Sequence, residues 1–217
     1  MKTLVIISSV INPIDKPLSY TATRNIYTAE ERYIQTLQTI QSVREKLPNS
    51  YIALLECSGN IEKFENQPRR LIEDTDEYYN YYEDQIARKD VESEFKGLGE
   101  VTILLKFLKN TDLSRFGSLF KLSGRYYLND TFNINAYEND DNIFKYFPQC
   151  AVVSTRFFKI GKFYFNDFID NLEESRSFLK NGKGMEATFC KLIYPFKHID
   201  NLGVSGNIAV DGTLIEE

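Results

Sequence analysis

The sequence predicts an α/β fold with a mostly parallel central sheet and helices on both faces. Three observations predict it. The chain opens on a β-branched run, Leu4 to Ile7, without polar alternation, as a central strand covered on both faces requires. Tyr33, Leu37, Ile40, Val43 and Leu47 then recur at spacings of three and four, which lays an apolar stripe along one side of a helix. A second apolar run follows at Tyr51 to Leu55. Strand, helix and strand in that rhythm make a right-handed βαβ unit.

The elements follow in order. Thr28-Ala29-Glu30-Glu31 is a capping box that starts the first helix, and Pro48-Asn49 stops it. A short helix is expected over 61–70 and a tyrosine-rich strand over 78–82. A helix is expected from Lys96 through Lys109, then a strand from Leu119 to Ser123 that Gly124 ends. Residues 132–149 read as irregular, 151–154 as a strand and 164–180 as a helix. Asn181 to Gly184 is a loop, a helix starts at Met185, and 204–210 is the last strand. A chain of 217 residues suits a single domain, 1–217. Ligands of open α/β sheets sit beyond the carboxyl ends of the strands, which directs attention to loops 8–28, 56–60, 82–100 and 123–131.

Composition narrows the function classes. A formal net charge of −5 does not attract a phosphate backbone, so no nucleic acid partner is expected. Cys57, Cys150 and Cys190 are sparse and odd in number, as in reduced intracellular thiols. His198 is the only histidine, which excludes multi-histidine metal sites. No apolar run approaches the ~20 residues of a membrane span, and the apolar stretch of Met1 to Ser9 is too short for a signal peptide. A cytoplasmic location is the expectation.

The most informative segment is Phe120 to Asp130, where a buried strand runs into Ser123-Gly124-Arg125-Tyr126-Tyr127. Glycine allows a ligand close to the backbone, and arginine offers a planar fork of donors for a diphosphate or carboxylate. Lys96-Gly97-Leu98-Gly99-Glu100 places two glycines at a helix start, where backbone N–H groups meet anions. Asp74-Thr75-Asp76 lies in a charged stretch with Glu73 and Glu77 and reads as a solvated acidic face, as does Asp140-Asp141.

The order of these segments resembles small GT-A-type glycosyltransferases, most closely glycosyltransferase-like proteins encoded by large DNA viruses of algae and protists. The resemblance runs through Pro17-Leu18-Ser19-Tyr20 with Arg24, Tyr27 to Arg32, Lys96 to Glu100, Lys121 to Tyr127 and Leu202 to Gly206. It implies transfer of a monosaccharide from a nucleoside diphosphate sugar to a glycan or glycoprotein hydroxyl. It divides the chain into a nucleotide-sugar-binding half, 1–130, and an acceptor-side half, 131–217. Ser8, Ser9, Arg24 and Tyr27 would flank the nucleoside. Lys96, Gly97, Gly99, Ser123, Gly124, Arg125 and Tyr126 would hold the donor. Glu186, at a late helix start, would take the acceptor proton. The family pattern ends the central strand with Asp-x-Asp, which holds Mn²⁺ or Mg²⁺; here the matching positions read Ser123-Gly124-Arg125. Either Arg125 replaces the metal, or Asp130 (with His198 as a late ligand) takes it over, or activity is lost and a non-catalytic nucleotide-sugar or glycan-binding module remains. A nucleotidyltransferase would need a glycine-rich first loop, and residues 8–16 contain no glycine.

Overall fold

The strand run at the amino terminus becomes β1, Lys2–Ser9, and the computed structural model that contains it describes residues 1–59 and 68–217. Helix α1, Ala29–Lys46, starts where the capping box predicts: Thr28 Oγ1 accepts from Glu31 N at 3.2 Å, and Thr28 N donates to Glu31 Oε2 at 2.7 Å. Strand β2, Tyr51–Glu56, closes the βαβ unit by pairing parallel to β1. The short helix expected over 61–70 falls largely outside the described residues; α2 takes up Pro68–Glu73.

Strand β3, Glu77–Asn80, ends two residues before the expected Tyr82. Asp84 caps a further helix there, α3 (Gln85–Val91), by accepting from Ile86 N and Ala87 N at 3.0 Å each. Then come α4, Lys96–Lys109, and β4, Phe116–Ser123. Short strands follow: β5 (Tyr126–Leu128), β6 (Ile143–Phe144), β7 (Tyr146–Phe147), β8 (Val152–Val153) and the longer β9 (Phe157–Gly161). Helices α5, Phe165–Lys180, and α6, Met185–Leu192, precede β10 (Lys197–His198), β11 (Val204–Asn207) and β12 (Leu214–Glu216).

The central sheet has seven strands in the order β10-β6-β9-β4-β1-β2-β3. Only β9 runs against the others, pairing antiparallel with β4 and β6. The mostly parallel sheet with β4, β1 and β2 side by side is as expected from sequence. The expected strand at 151–154 is instead a two-residue ribbon with β7, and β11 pairs with β5 and β12 in a separate three-stranded sheet.

Strand alternation sorts the core into two layers. Leu4 and Ile6 of β1 join Ala53 and Leu55 of β2 against α4 and α5 on one face. Val5, Ile7, Ile52 and Leu54 join Tyr33, Leu37, Ile40 and Val43 of α1 on the other. Each layer draws on residues from both ends of the chain, such as Leu4 with Phe189 and Val5 with Val204.

Candidate functional site

The alternation that builds the core also aims the strand ends. Ser8 shares the side of Leu4 and Ile6 and faces α4, where its Oγ donates to Glu100 Oε1 at 2.7 Å. Ser9 faces α1, its Oγ 3.0 Å from Thr36 Oγ1. On β4, Lys121 faces α4 and is fully buried; its Nζ pairs with the Glu100 carboxylate and donates to Ser123 Oγ and Thr155 O at 2.7 Å each. Burial works to raise the Glu100 pKa, but the Lys121 charge and the hydrogen bonds from Lys121 and Ser8 outweigh it and hold the carboxyl below its usual range. Glu56, at the end of β2, faces α1. Its Oε1 accepts from Ile11 N and Cys57 N at 3.0 Å each and from the Ser58 hydroxyl, tying together the loops that follow β1 and β2. Burial raises its pKa.

Beyond these strand ends lies a cavity of about 220 Å³ lined by Ser8, Ser9, Arg24, Arg32, Lys96 and Arg125 among others. All four loop regions expected from sequence contribute to its wall. A wider groove of about 890 Å³ lies beside it. Lys96, Glu100, Ser123 and Arg125 line both and so form the neck between them. Glu186, in the first turn of α6, lines the groove only; its exposed carboxylate accepts from Thr155 Oγ1 at 3.3 Å.

The cations around the neck differ in what they already do. Arg24 is consumed by backbone: Nε donates to Lys16 O at 2.8 Å, Nη1 to Val91 O at 3.0 Å, and Nη2 to Ser93 O. It clamps the loop after β1 onto the α3–α4 turn and lines the cavity wall with its hydrogen-bonding groups already used. Arg32, also buried, donates from Nε and Nη2 to Val10 O at 3.2 and 2.8 Å. Burial, with Arg125 adding, pushes its pKa down to about 9, still protonated at neutral pH. Lys96 is half-buried and has no hydrogen-bond or ion-pair partner among the described residues. Burial first, then the charges of Arg125 and Arg32, bring its pKa down to about 7. Arg125 donates from Nε to Asn207 O at 3.4 Å and lies 5.5 Å from the Tyr126 ring; among the described residues no carboxylate pairs with it. Helix α4 opens beside it without a side-chain cap, its Leu98 N donating to Phe95 O at 2.9 Å, and Lys96 and Gly97 of its first turn line the groove.

Several residues expected at the site also have packing roles, Gly97 and Tyr126 while lining the groove. A side chain at Gly99 would place its Cβ 2.4 Å from Val91 Cα, so this glycine exists for the close approach of α3 and α4. Gly97 packs likewise against Met185, whose Cβ lies 2.9 Å from such a position. Gly124 lets the end of β4 close on β1, its N–H donating to Ser8 O at 2.8 Å. Tyr126 is buried and its hydroxyl accepts from Arg156 Nε at 3.2 Å. Tyr27 lines neither cavity nor groove and sits under Gly212.

The residues present do not fit a divalent cation. At the end of β4, Ser123 accepts from Lys121, Gly124 has no side chain and Arg125 is itself a cation. Glu100 is taken by Lys121 and Ser8. Asp130 is exposed and pairs with Lys46 at 3.1 Å, lining a separate polar groove. His198 sits on the edge strand β10, its Nδ1 accepting from Tyr146 N at 3.0 Å and its Nε2 3.0 Å from Asp200. Neither reaches the neck, and among the described residues no three His, Cys, Asp or Glu side chains converge as a hard cation requires. Asp74-Thr75-Asp76 has a structural use: Asp76 Oδ2 accepts from Ile52 N and Arg44 Nη2 at 2.8 Å each.

Arg32 and Lys121 lie in stretches that carry the resemblance but were not among the residues expected to hold the donor. Arg32 stands four residues before Thr36 and eight before Ile40, in register with the buried stripe. That register was the available signal. Lys121 carried none, because its partner Glu100 comes from a distant helix.

The fold and site together define an α/β protein with an anion-ready cleft at the carboxyl edge of its sheet. No protein-family profile matches the chain, and no curated protein matches it. Among solved structures it is similar to the galactosyltransferase LgtC in complex with donor and acceptor sugar analogs, at 8% identity and a TM-score of 0.49, over 87% of this chain and 69% of that one. A likeness of that size carries no argument about the site. Among the described residues no helix is long and apolar enough to cross a membrane.

Proposed function

We propose that the protein transfers a sugar from a nucleoside diphosphate sugar to a glycan or glycoprotein hydroxyl, without a metal ion. One observation carries this reading: Lys96 and Arg125, two cations without carboxylate partners among the described residues, stand at the neck between a narrow cavity and a wide groove. Like charges held together in a half-buried place are unfavourable until an anion joins them. A diphosphate at the neck would put its nucleoside in the cavity and its sugar in the groove. The whole chain then works as one unit, 1–130 supplying most of the donor wall and 131–217 much of the acceptor wall, where Tyr20 and Phe95 join it. The acceptor oxygen attacks the anomeric carbon, the bond from that carbon to the diphosphate breaks, and the nucleoside diphosphate leaves with its charge met by Arg125, Lys96 and the α4 amides. Glu186, across the groove, receives the acceptor proton.

The test is a thermal-shift screen of UDP-, GDP- and TDP-sugars with and without Mn²⁺, then an assay of nucleoside diphosphate release with saccharide acceptors. A donor at a hundred times its dissociation constant stabilises by about 2.7 kcal/mol. No stabilisation by any nucleotide sugar would end the reading. The exposure of Glu186, held only by Thr155, favours a second reading, a non-catalytic binding module. Donor binding without release of nucleoside diphosphate in the presence of acceptors would select it.

A further inference from the structure

Tyr20 is an exposed aromatic in an unusual setting. Its residue surface is 66% exposed, yet the chain around it is tightly held. Leu18 N donates to Thr21 O at 2.9 Å and Thr21 N returns to Leu18 O at 3.3 Å, closing a turn with Tyr20 inside it. Ser19 N donates to Glu94 O at 3.1 Å, which docks the turn on the start of α4. Arg24 then fixes the base of the loop through Lys16 O, Val91 O and Ser93 O. None of these bonds uses the Tyr20 side chain.

The ring lines the wide groove with Lys96, Arg125 and Glu186. Burial first, then the Glu186 charge, holds its hydroxyl above the ordinary tyrosine range, with Arg125 and Arg24 opposing. Tyr20 is thus an exposed aromatic on the wall of the groove that the neck residues and Glu186 also line. Phe95 and Phe147 add half-buried aromatic surface to the same groove, and Gln149, Thr155 and Lys183 add hydrogen-bonding groups. Flat aromatic faces edged by polar side chains suit a pyranose ring, which presents C–H groups on its faces and hydroxyls around its rim.

We infer that Tyr20 is the platform on which the acceptor saccharide stacks, holding its hydroxyl beside Glu186. This rests on the transferase reading for the identity of the groove's ligand as acceptor. Tyrosine suits the task because it has two torsions to fix, and the clamped turn has already fixed its backbone. The ring contributes area and orientation, and no proton transfer is assigned to it.

The test measures saccharide binding apart from donor binding. Saturation-transfer NMR with a panel of α- and β-linked disaccharides is run on the wild-type protein, Tyr20→Ala and Tyr20→Phe, each with and without saturating UDP, GDP or TDP. A matched titration gives the affinity of the three proteins for the best nucleotide sugar. The expected result is disaccharide binding by the wild-type protein, weakened at least about fivefold in Tyr20→Ala and within about twofold in Tyr20→Phe. Donor affinity and melting temperature should be unchanged in both variants. Equal disaccharide binding by Tyr20→Ala and wild type overturns the inference. So does the absence of disaccharide binding by the wild type under all conditions, and so does a loss of donor affinity in Tyr20→Ala that matches its loss of saccharide affinity. Failure of the transferase reading is a different result, in which disaccharides bind through Tyr20 while no nucleotide sugar does.

Discussion

Replacing Arg125 with alanine removes a guanidinium whose only hydrogen bond among the described residues is the long one to Asn207 O. Little folding stability goes with it, so its loss should appear in ligand affinity. Donor binding should weaken by at least about 1.5 kcal/mol, the low end for a hydrogen bond to a charged group. Arg125→Lys should recover only part of this, because an ammonium lacks the planar fork. Calorimetric titration with the best nucleotide sugar decides it, and an unchanged affinity in Arg125→Ala would remove the residue from the donor site. Lys96 adds a pH signature. Its pKa of about 7 in the free protein reflects burial and the nearby Arg125 and Arg32. A bound diphosphate, ionised throughout this range, raises that pKa. The complex therefore keeps a proton that the free protein loses above pH 7. Donor affinity should be full below about pH 7 and fall as pH rises past it, by up to about tenfold per unit. Lys96→Met should flatten the profile while melting at or above the wild-type temperature at neutral pH, since it removes a partly desolvated cation. A wild-type affinity that is level from pH 6 to 9 would show that Lys96 does not meet the phosphates.

At the scale of elements, α4 shows how a motif that reads as ligand-binding can belong to packing. Gly99→Ala gains roughly 0.5–1 kcal/mol of helix propensity. Its Cβ, however, would lie 2.4 Å from Val91 Cα, and a backbone atom cannot turn aside as a side chain can. Overpacking of that kind costs about 1–3 kcal/mol, so a net destabilisation is expected, read as a lower urea midpoint at unchanged slope. Had the glycine served an anion, the variant would keep its midpoint and lose donor affinity instead. The periodic elements were legible because burial imposes their pattern: β1, α1, β2, α4, β4 and α5 each show a run or a stripe. Strand β9 was not, because Lys159 interrupts Phe157, Phe158 and Ile160. That lysine is buried only because Asn139 and Asp141 supply oxygen acceptors from a loop remote in sequence, including Asn139 Oδ1 at 3.2 Å and Asp141 O at 3.3 Å. Strands β6 and β10, two residues each, are too short to carry any period.

For the whole molecule, charge and its placement disagree in a way that bears on mechanism. The chain carries a formal net charge of −5, yet Lys96 and Arg125 gather at one neck, with Arg32 in the cavity wall beside them. Sequence alone locates Arg125 at a strand end and Lys96 at a helix start; only the sheet order, with β4 beside β1 and α4 packed on that face, brings the two together. Among the described residues, folding does not bring a second unpaired carboxylate there. Glu100 is neutralised by Lys121, Glu56 is turned toward α1 and its loops, and Asp130 and His198 lie elsewhere. A diphosphate carries about two negative charges, and these need compensation once partly desolvated. Fixed cations and the uncapped α4 amides are the compensation this fold offers. Two outcomes follow together. Excess EDTA should leave the donor dissociation constant within about twofold, since among the described residues no ligand set for a divalent ion stands at the neck. Raising sodium chloride from low to about 1 M should weaken binding, because the screening length falls from tens of ångströms to about 3 Å. Calorimetry under the four conditions measures both. If EDTA abolished binding while Arg125→Ala preserved it, a metal would be holding the diphosphate, and Glu186 with Glu100 would be the carboxylates to substitute next.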